Sequence, residues 1–364
     1  MRVGIMTFHR AHNFGAMLQA YGLQNALNKL GAECSIVDYK CEKIEKSYKT
    51  FLVERASLKS LLSAVYHFPN RYIRRNRFES FNNKYLKKSD QIYDRGNIQD
   101  SLDQYDCFIT GSDQVWNEEL TGNDKNYFLK FAVGKKKISY AASLGRTRLT
   151  EKQKEEYSEL LSDFSFISVR EESAQEALAD ILNKDVELVV DPVFLLSKEE
   201  WKRFIAENKH GDYIFMYELH ENNTRKLAQK IAEKTGLKII TIPNDLRGGL
   251  TAEKIYAPTV EEFLNLIYHA QYVVTDSFHV SAFAVIFNKE YYGLLKTNSN
   301  LRGLNSRLET LTARLGIKGR LFDSINDFEV AEALDYSIID TNLTALREGA
   351  VSLIQELGLH EEAR

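Results

Sequence analysis

Short apolar runs alternate with stretches of helical periodicity along most of the chain, the pattern of parallel sheets joined by crossover helices. Residues 2–8 (RVGIMTF) read as a buried first strand. A turn through His12, Asn13, Phe14 and Gly15 follows, and residues 16–30 carry apolar side chains at helical spacing until Gly31 stops the helix. Residues 33–39 make a second strand, and the alternation resumes at 107–110, 137–140, 166–169 and 186–190. Asp191-Pro192 ends that series, and a helical stretch over 199–206 leads into the polar segment 208–212, where the pattern places a domain boundary. A second series follows at 213–217, 238–242, 272–275 and 291–295, with a last helix over 343–357.

The expectation is an α/β protein of two Rossmann-like lobes facing a cleft. Residues 1–207 form the N-terminal lobe, 208–340 the C-terminal lobe, and 341–364 a closing helix and tail. Residues 41–95 interrupt the first lobe as a basic helical insertion. Over 41–90 there are 12 Lys and Arg against 5 Asp and Glu, with Phe51, Leu58, Leu61, Leu62, Val65 and Tyr66 at helical spacing among them. Such a stretch fits either a solvated hairpin over the first lobe or a surface resting on anionic lipid.

Composition narrows the classes. A chain of 364 residues that is 44% hydrophobic and 27% charged is a globular protein of two medium domains. A net charge of -3 supplies no global field for nucleic acid, so none is expected as a partner. Cys34, Cys41 and Cys107 show neither metal-ligand nor CxxC spacing and read as reduced structural thiols. His9 and Arg10 interrupt the N-terminal apolar run before it reaches signal-peptide length, and no window has the length of a membrane span. The protein is expected to be cytoplasmic, at most peripheral to the inner face of the membrane.

In open parallel sheets ligands bind beyond the carboxyl ends of the strands, so polar residues directly after strands carry the most weight. After the first strand come His9, His12, Asn13 and Gly15; the helix that begins there offers backbone N–H groups to an anion or a sugar hydroxyl, or Asn13 simply caps it. No G-x-G-x-x-G fingerprint accompanies them, so a dinucleotide is not supported. After the strand 107–110 come Ser112, Asp113, Gln114, Trp116 and Asn117, with Trp116 as a flat face for a pyranose and Asp113 as a base for a hydroxyl, or as a cap. Arg170, at the end of 166–169, can grip a carboxylate or phosphate, or pair with Glu171 or Glu172. In the second series Asp276, Ser277 and His279 stand between a strand and an apolar helix. There His279 can meet a phosphate at the helix N-terminus while Asp276 orients its ring. Lys296, Arg302 and Arg307 follow the strand 291–295 and supply three cations.

In their order and spacing these stretches resemble the polysaccharide pyruvyl transferase family: TFHRAHNFGAMLQAYGLQ, DCFITGSDQVWN, KKISYAASLG, FISVRE, VVDPVFLLSKEEW, YVVTDSFHVSAFAVIFNKEYY and NSRLETLTARLGI. GSDQVWN and TDSFH in this order are the specific elements. The resemblance implies a GT-B-like fold and transfer of an enolpyruvyl unit from phosphoenolpyruvate to a hexose or N-acetylhexosamine. The acceptor is often a lipid-linked precursor of a capsule or cell-wall glycan, and the product is a pyruvate ketal. Neither a metal nor any other cofactor is implied; phosphoenolpyruvate is a co-substrate. Carried onto this chain, the resemblance places the donor on Arg170, His279 and Ser277, with Lys296, Arg302 and Arg307 competing as the further cation. It leaves His9, His12, Asn13, Gly15, Ser112, Trp116 and Asn117 to the acceptor, with Asp113 and His279 as base and acid. At one position the chain departs from its relatives, which commonly have glycine after the SFH element where this chain has Val280. Two other readings fit the same residues: a nucleotide-sugar glycosyltransferase, and a carbohydrate-binding member without turnover, which Val280 keeps open.

Overall fold

The computed structural model describes residues 1–50, 58–220, 223–243, 250–298, 301–326, 328–329 and 332–359, the side chains of 58–64 excepted. They group into two units. The first holds residues 1–50, 78–196 and 345–359, the second 58–77 and 197–344.

In the first unit β1 (Arg2–Met6) pairs in parallel with β2 (Glu33–Ile36) and with β3 (Cys107–Thr110), and β3 pairs with β4 (Lys136–Ser139). Backbone bridges Ile138–Phe166 and Ala142–Val169 carry the order on to β5 (Ser168–Val169) and β6 (Glu187–Leu188). Strands 2 and 3 lie on opposite sides of β1, so the order reverses at β1/β3, where a doubly wound sheet leaves a crevice at its carboxyl edge. The helices are α1 (Phe14–Lys29), α2 (Glu42–Ser47), α3 (Leu58–Tyr85), α4 (Glu118–Thr121), α5 (Glu151–Leu161) and α6 (Glu172–Ala179). Asn13 caps α1 by accepting from the Ala16 N–H, and Gly31 leaves it with φ of 85°. Almost every side chain of α1 is buried, because it packs on β2 and on the 3-10 turn Pro192–Leu195.

The second unit repeats the logic. Its helices are α7 (Lys198–Lys202), α8 (Thr224–Thr235), α9 (Val260–His269), α10 (Phe278–Ile286), α11 (Ser306–Leu315) and α12 (Tyr336–Glu356), the last continuing into the first unit from residue 345. The strands β7 (Tyr213–Tyr217), β8 (Lys238–Thr241), β9 (Glu253–Lys254), β10 (Tyr272–Thr275), β11 (Glu290–Leu294) and β12 (Leu321–Phe322) form one parallel sheet in the order 12-11-10-7-8-9. Here the reversal falls at β7/β10.

The division differs from the sequence expectation in two places. It falls at 196/197 rather than 207/208, because Trp201 of α7 is fully buried edge-on against Phe283, and Asn265 and His269 bond the backbone of Ala206. Residues 58–77 of the basic insertion group with the second unit, where Arg77 donates to the Ala257 carbonyl and the Glu262 carboxylate. The two-residue edge strands β9 and β12 are too short to leave a periodic pattern. All three cysteines are buried and unlinked, and burial pushes the Cys34 and Cys107 thiols up to about 12.

Gly22 shows how closely α1 is held: a Cβ there would stand 2.6 Å from the Pro192 carbonyl oxygen. Alanine in a helix interior gains about 1 kcal/mol in propensity, but a clash with buried backbone costs about 1–3 kcal/mol. Gly22→Ala is expected to lower stability by about 1–2 kcal/mol, read as a lower urea midpoint at constant slope. A midpoint that rises would mean that α1 can slide off the turn.

Candidate functional site

At the β1/β3 reversal a cavity of about 150 Å³ opens between the β1–α1 loop, α2 and the loop after β3. Asn13, Ser47, Tyr48, Asp113 and Gln114 give it polar lining, and Phe8, Ile44 and Leu120 give it apolar walls. This mixture suits one sugar ring: hydroxyls need donors and acceptors, while ring faces need apolar contact. Asp113 holds φ at 80° and Ala141, just past β4, holds 55°, both left-handed without being glycine. Such strain persists where surrounding bonds over-determine it. The Asp113 carbonyl accepts from Ser143 N–H, and its Oδ1 accepts from Gln114 N–H at 2.9 Å.

Behind Asp113 lies a buried ion cluster. The Arg170 guanidinium is wholly inaccessible; it donates to Asp191 Oδ2 at 2.5 Å, to Ser112 Oγ at 3.0 Å and to Asp113 Oδ1 at 3.3 Å, and lies 3.6 Å from Glu171 Oε2. Burial opposes its charge, but the three carboxylates outweigh that and raise its pKa. Arg170 is therefore occupied inside the first unit, and the donor role expected of it does not fit: a guanidinium saturated by carboxylates has no face for an outside anion. Ser112, fully buried, donates to Asp191 at 2.9 Å and belongs to the same cluster.

Three more expected acceptor contacts are corrected by burial. Trp116 is fully buried, stacked on Phe128 and donating to the Tyr127 carbonyl, so it is core rather than a sugar platform. His9 is buried on Asp38, which also accepts from Arg10. Burial resists the charge on Asp38, yet His9 and Arg10 hold its carboxyl down at about 2. Asn117 caps α4 and donates to Gln114 Oε1. Gly15 is buried in the first turn of α1, and His12, half-buried, sits edge-on to Tyr48. Of the residues expected at the acceptor, Asn13 lines the cavity, together with Asp113. Tyr48 and Gln114 join them; Gln114 was legible from its place after a strand, Tyr48 was not, because nothing in its neighbourhood marks it.

In the second unit the loops after β7 and β10 meet at the other reversal. Asp276, fully buried, accepts from the Leu219 and His220 N–H groups at 2.7 and 2.9 Å, so it ties the two loops together. Ser277 occupies the cap position of α10, yet its hydroxyl does not cap the helix. His279 is buried in the first turn, and Arg307 lies 5.7 Å over the Phe278 ring. Lys296 Nζ donates to the Asp276 carbonyl at 2.8 Å. Burial pushes Lys296 down to about 8, with the Asp276 carboxylate opposing and Arg307 adding to the fall. Burial also lowers His220, Lys296 and Arg307 repelling its charge and Asp276 favouring it. His220 is the residue the sequence reading missed here, although its position just past β7 satisfied the strand-end rule. Arg302 is exposed and bonds the Thr297 carbonyl, apart from this group. Val280 is fully buried within α10, so its side chain belongs to the core.

Removing the Arg170 charge strands three carboxylates, and breaking such a buried set costs about 3–5 kcal/mol. Arg170→Ala is expected to lower the chemical denaturation midpoint accordingly. Unchanged stability with a selective loss of phosphoenolpyruvate binding would return Arg170 to the donor site.

Among the described residues no cluster of three or more His, Cys, Asp and Glu is placed to hold a metal, and no helix is long and apolar enough to cross a membrane. Known structures with the same fold include UDP-GlcNAc 2-epimerase from Methanocaldococcus jannaschii, at TM-score 0.50 and 15% identity over 98% of this chain and 99% of that one. A putative UDP-N-acetylglucosamine 2-epimerase from Listeria monocytogenes matches at 0.51 and 12% over 98% and 90%. That from Neisseria meningitidis matches at 0.50 and 13% over 97% and 94%. At such identities the likeness is one of fold, the GT-B fold of two parallel-sheet units. No curated protein matches the sequence. The model of the family described as polysaccharide pyruvyl transferase matches residues 13–294, from the start of α1 through β11, and on that match the chain belongs to the polysaccharide pyruvyl transferase family.

Proposed function

We propose that the protein transfers a pyruvyl unit from phosphoenolpyruvate to a sugar of a lipid-linked polysaccharide precursor, the second unit holding the donor and the first the acceptor. The observation that carries this reading is the gathering of Lys296, Arg307 and His279 about the N-terminal end of α10, with the Ser277 hydroxyl beside them. Phosphoenolpyruvate carries a carboxylate and a phosphate, and fixed cations at a helix N-terminus suit both. His279 and Arg307 bind phosphate and carboxylate. Lys296, acidic for a lysine, gives its proton to the methylene carbon. The neighbouring carbon then takes one sugar hydroxyl oxygen, its bond to the phosphate oxygen breaks, and a second sugar hydroxyl closes the ketal. Two hydroxyl protons leave: one restores the lysine and the other ends on phosphate. Asp113, which lines the cavity of the first unit, takes the first of them and releases it to solvent, from which the lysine is reprotonated.

Phosphoenolpyruvate is expected to raise the melting temperature of the whole chain, and a panel of nucleotide sugars is not. Lys296→Met should abolish the rise, while Asp113→Asn should keep it and lose turnover by about 100-fold or more. A rise with nucleotide sugars alone would make the protein a glycosyltransferase instead.

The lysine also sets a pH dependence. Below about 8 it is an ammonium ion and holds the donor; as pH climbs through 8 the proton leaves and affinity falls. Binding therefore takes up a proton near pH 8–9, measurable by calorimetry in buffers of different ionisation enthalpy. Lys296→Arg, which keeps its charge, should flatten the fall in binding; an unaltered profile would assign the titration elsewhere.

A further inference from the structure

Among the described residues, helix α3 carries a run of large apolar side chains exposed to solvent. Val65, Tyr66, Phe68, Tyr72 and Ile73 are 56, 66, 41, 51 and 46% exposed, five large apolar side chains within nine residues. Spacings of three, four and seven put them on one stripe. Phe68 and Tyr72 stack on it at 6.0 Å. The opposite side fastens the helix: Phe78 and Phe81 are buried, Arg77 bonds Ala257 and Glu262, and Arg74 bonds the Tyr217 hydroxyl. In sequence Leu58, Leu61 and Leu62 precede Val65 at the same spacings.

Charge decides what fits the stripe. Residues 58–77 carry Lys59, Arg71, Arg74, Arg75 and Arg77 and no acid, within a chain of net charge -3. A second copy would have to meet the stripe through a two-fold contact, bringing this basic, acid-free segment against its own copy. An anionic bilayer satisfies both halves. Apolar side chains enter the headgroup boundary, the tyrosines sit at its polar level, and arginines reach the phosphates along flexible stems. Pro69, inside the helix, and the closely set arginines suit a helix lying in the interface rather than crossing it. We propose that the exposed face of α3 between Val65 and Arg75 seats the protein on an anionic lipid surface. This sharpens the lipid-linked acceptor of the proposed function but stands on α3 alone.

The test is co-sedimentation of the whole chain with phosphatidylcholine vesicles, with and without about one-third phosphatidylglycerol, in the absence of donor and acceptor. The protein should pellet with the anionic vesicles, leave the neutral ones, and dissociate as salt rises. The pairs Tyr72→Ser with Ile73→Ser and Arg71→Ser with Arg75→Ser should each weaken partitioning by about tenfold or more, at an unchanged melting temperature and circular dichroism spectrum. Absence of binding by the parent chain, or binding that neither pair alters, overturns the proposal. So does self-association that the Tyr72/Ile73 pair abolishes in a chain that ignores vesicles, which would make the stripe a contact between copies. Melting shifts with phosphoenolpyruvate, measured alongside, separate this outcome from the donor reading: vesicle binding without a donor shift retains the first and removes the second.

Discussion

Everything functional in this chain hangs on the reversal of strand order in its two parallel sheets. A strand fed by right-handed crossovers on both sides sends its neighbours' helices to opposite faces, and the loops beyond its carboxyl end part. In the first unit that happens at β1/β3 and the loops part around a cavity lined by Asn13 and Asp113. In the second it happens at β7/β10, where Asp276 closes the gap by taking two backbone N–H groups of the facing loop. One opening is left hollow with a mixed polar and apolar lining, and the other is laced together beneath a group of cations.

Holding the hollow one open requires a charge in the interior. Ser112 and Asp113 leave β3, Arg170 leaves β5, and Asp191 follows β6, so the guanidinium ties together three strand ends. A cluster of one cation and three carboxylates is a poor way to gain stability, since desolvation consumes most of the Coulombic return. Its value is geometric. One edge of the rigid guanidinium plane holds the carboxylate of Asp113 while its backbone is kept left-handed, and the chain past β3 cannot relax without stranding a charge.

The strands and their order of appearance could be read because buried parallel strands leave near-continuous apolar runs, and α1 because Asn13 and Gly31 punctuate it. Side-chain destinations were harder. Arg170 and Lys296 look alike in sequence, each a cation just past a strand. Only the tertiary neighbours separate them: Asp191, 21 residues on, claims the first, whereas the carbonyl of Asp276 leaves the second its charge. Trp116 differs from its expected role for a similar reason, since the same motif serves a platform or a core and Phe128 settles which. Residues 58–77 joined the second unit through Arg77 and Glu262, a pairing 185 residues apart that no local pattern announces.

The choice between arginine and lysine follows the same division of labour. Arg170 and Arg320 are both buried, both paired with carboxylates, and neither can give up a proton. They serve as permanent struts. Lys296 is buried too, but its amine bonds a carbonyl, and burial brings its proton within reach of neutral pH. A site that only had to hold an anion would do better with arginine's fixed charge. A site that must hold an anion and also protonate a carbon beside it needs a cation that can let go, and among the cations grouped at α10 a lysine pushed down to about 8 meets both demands. In the proposed mechanism the donor chemistry thus falls to a cation whose burial is only partly compensated.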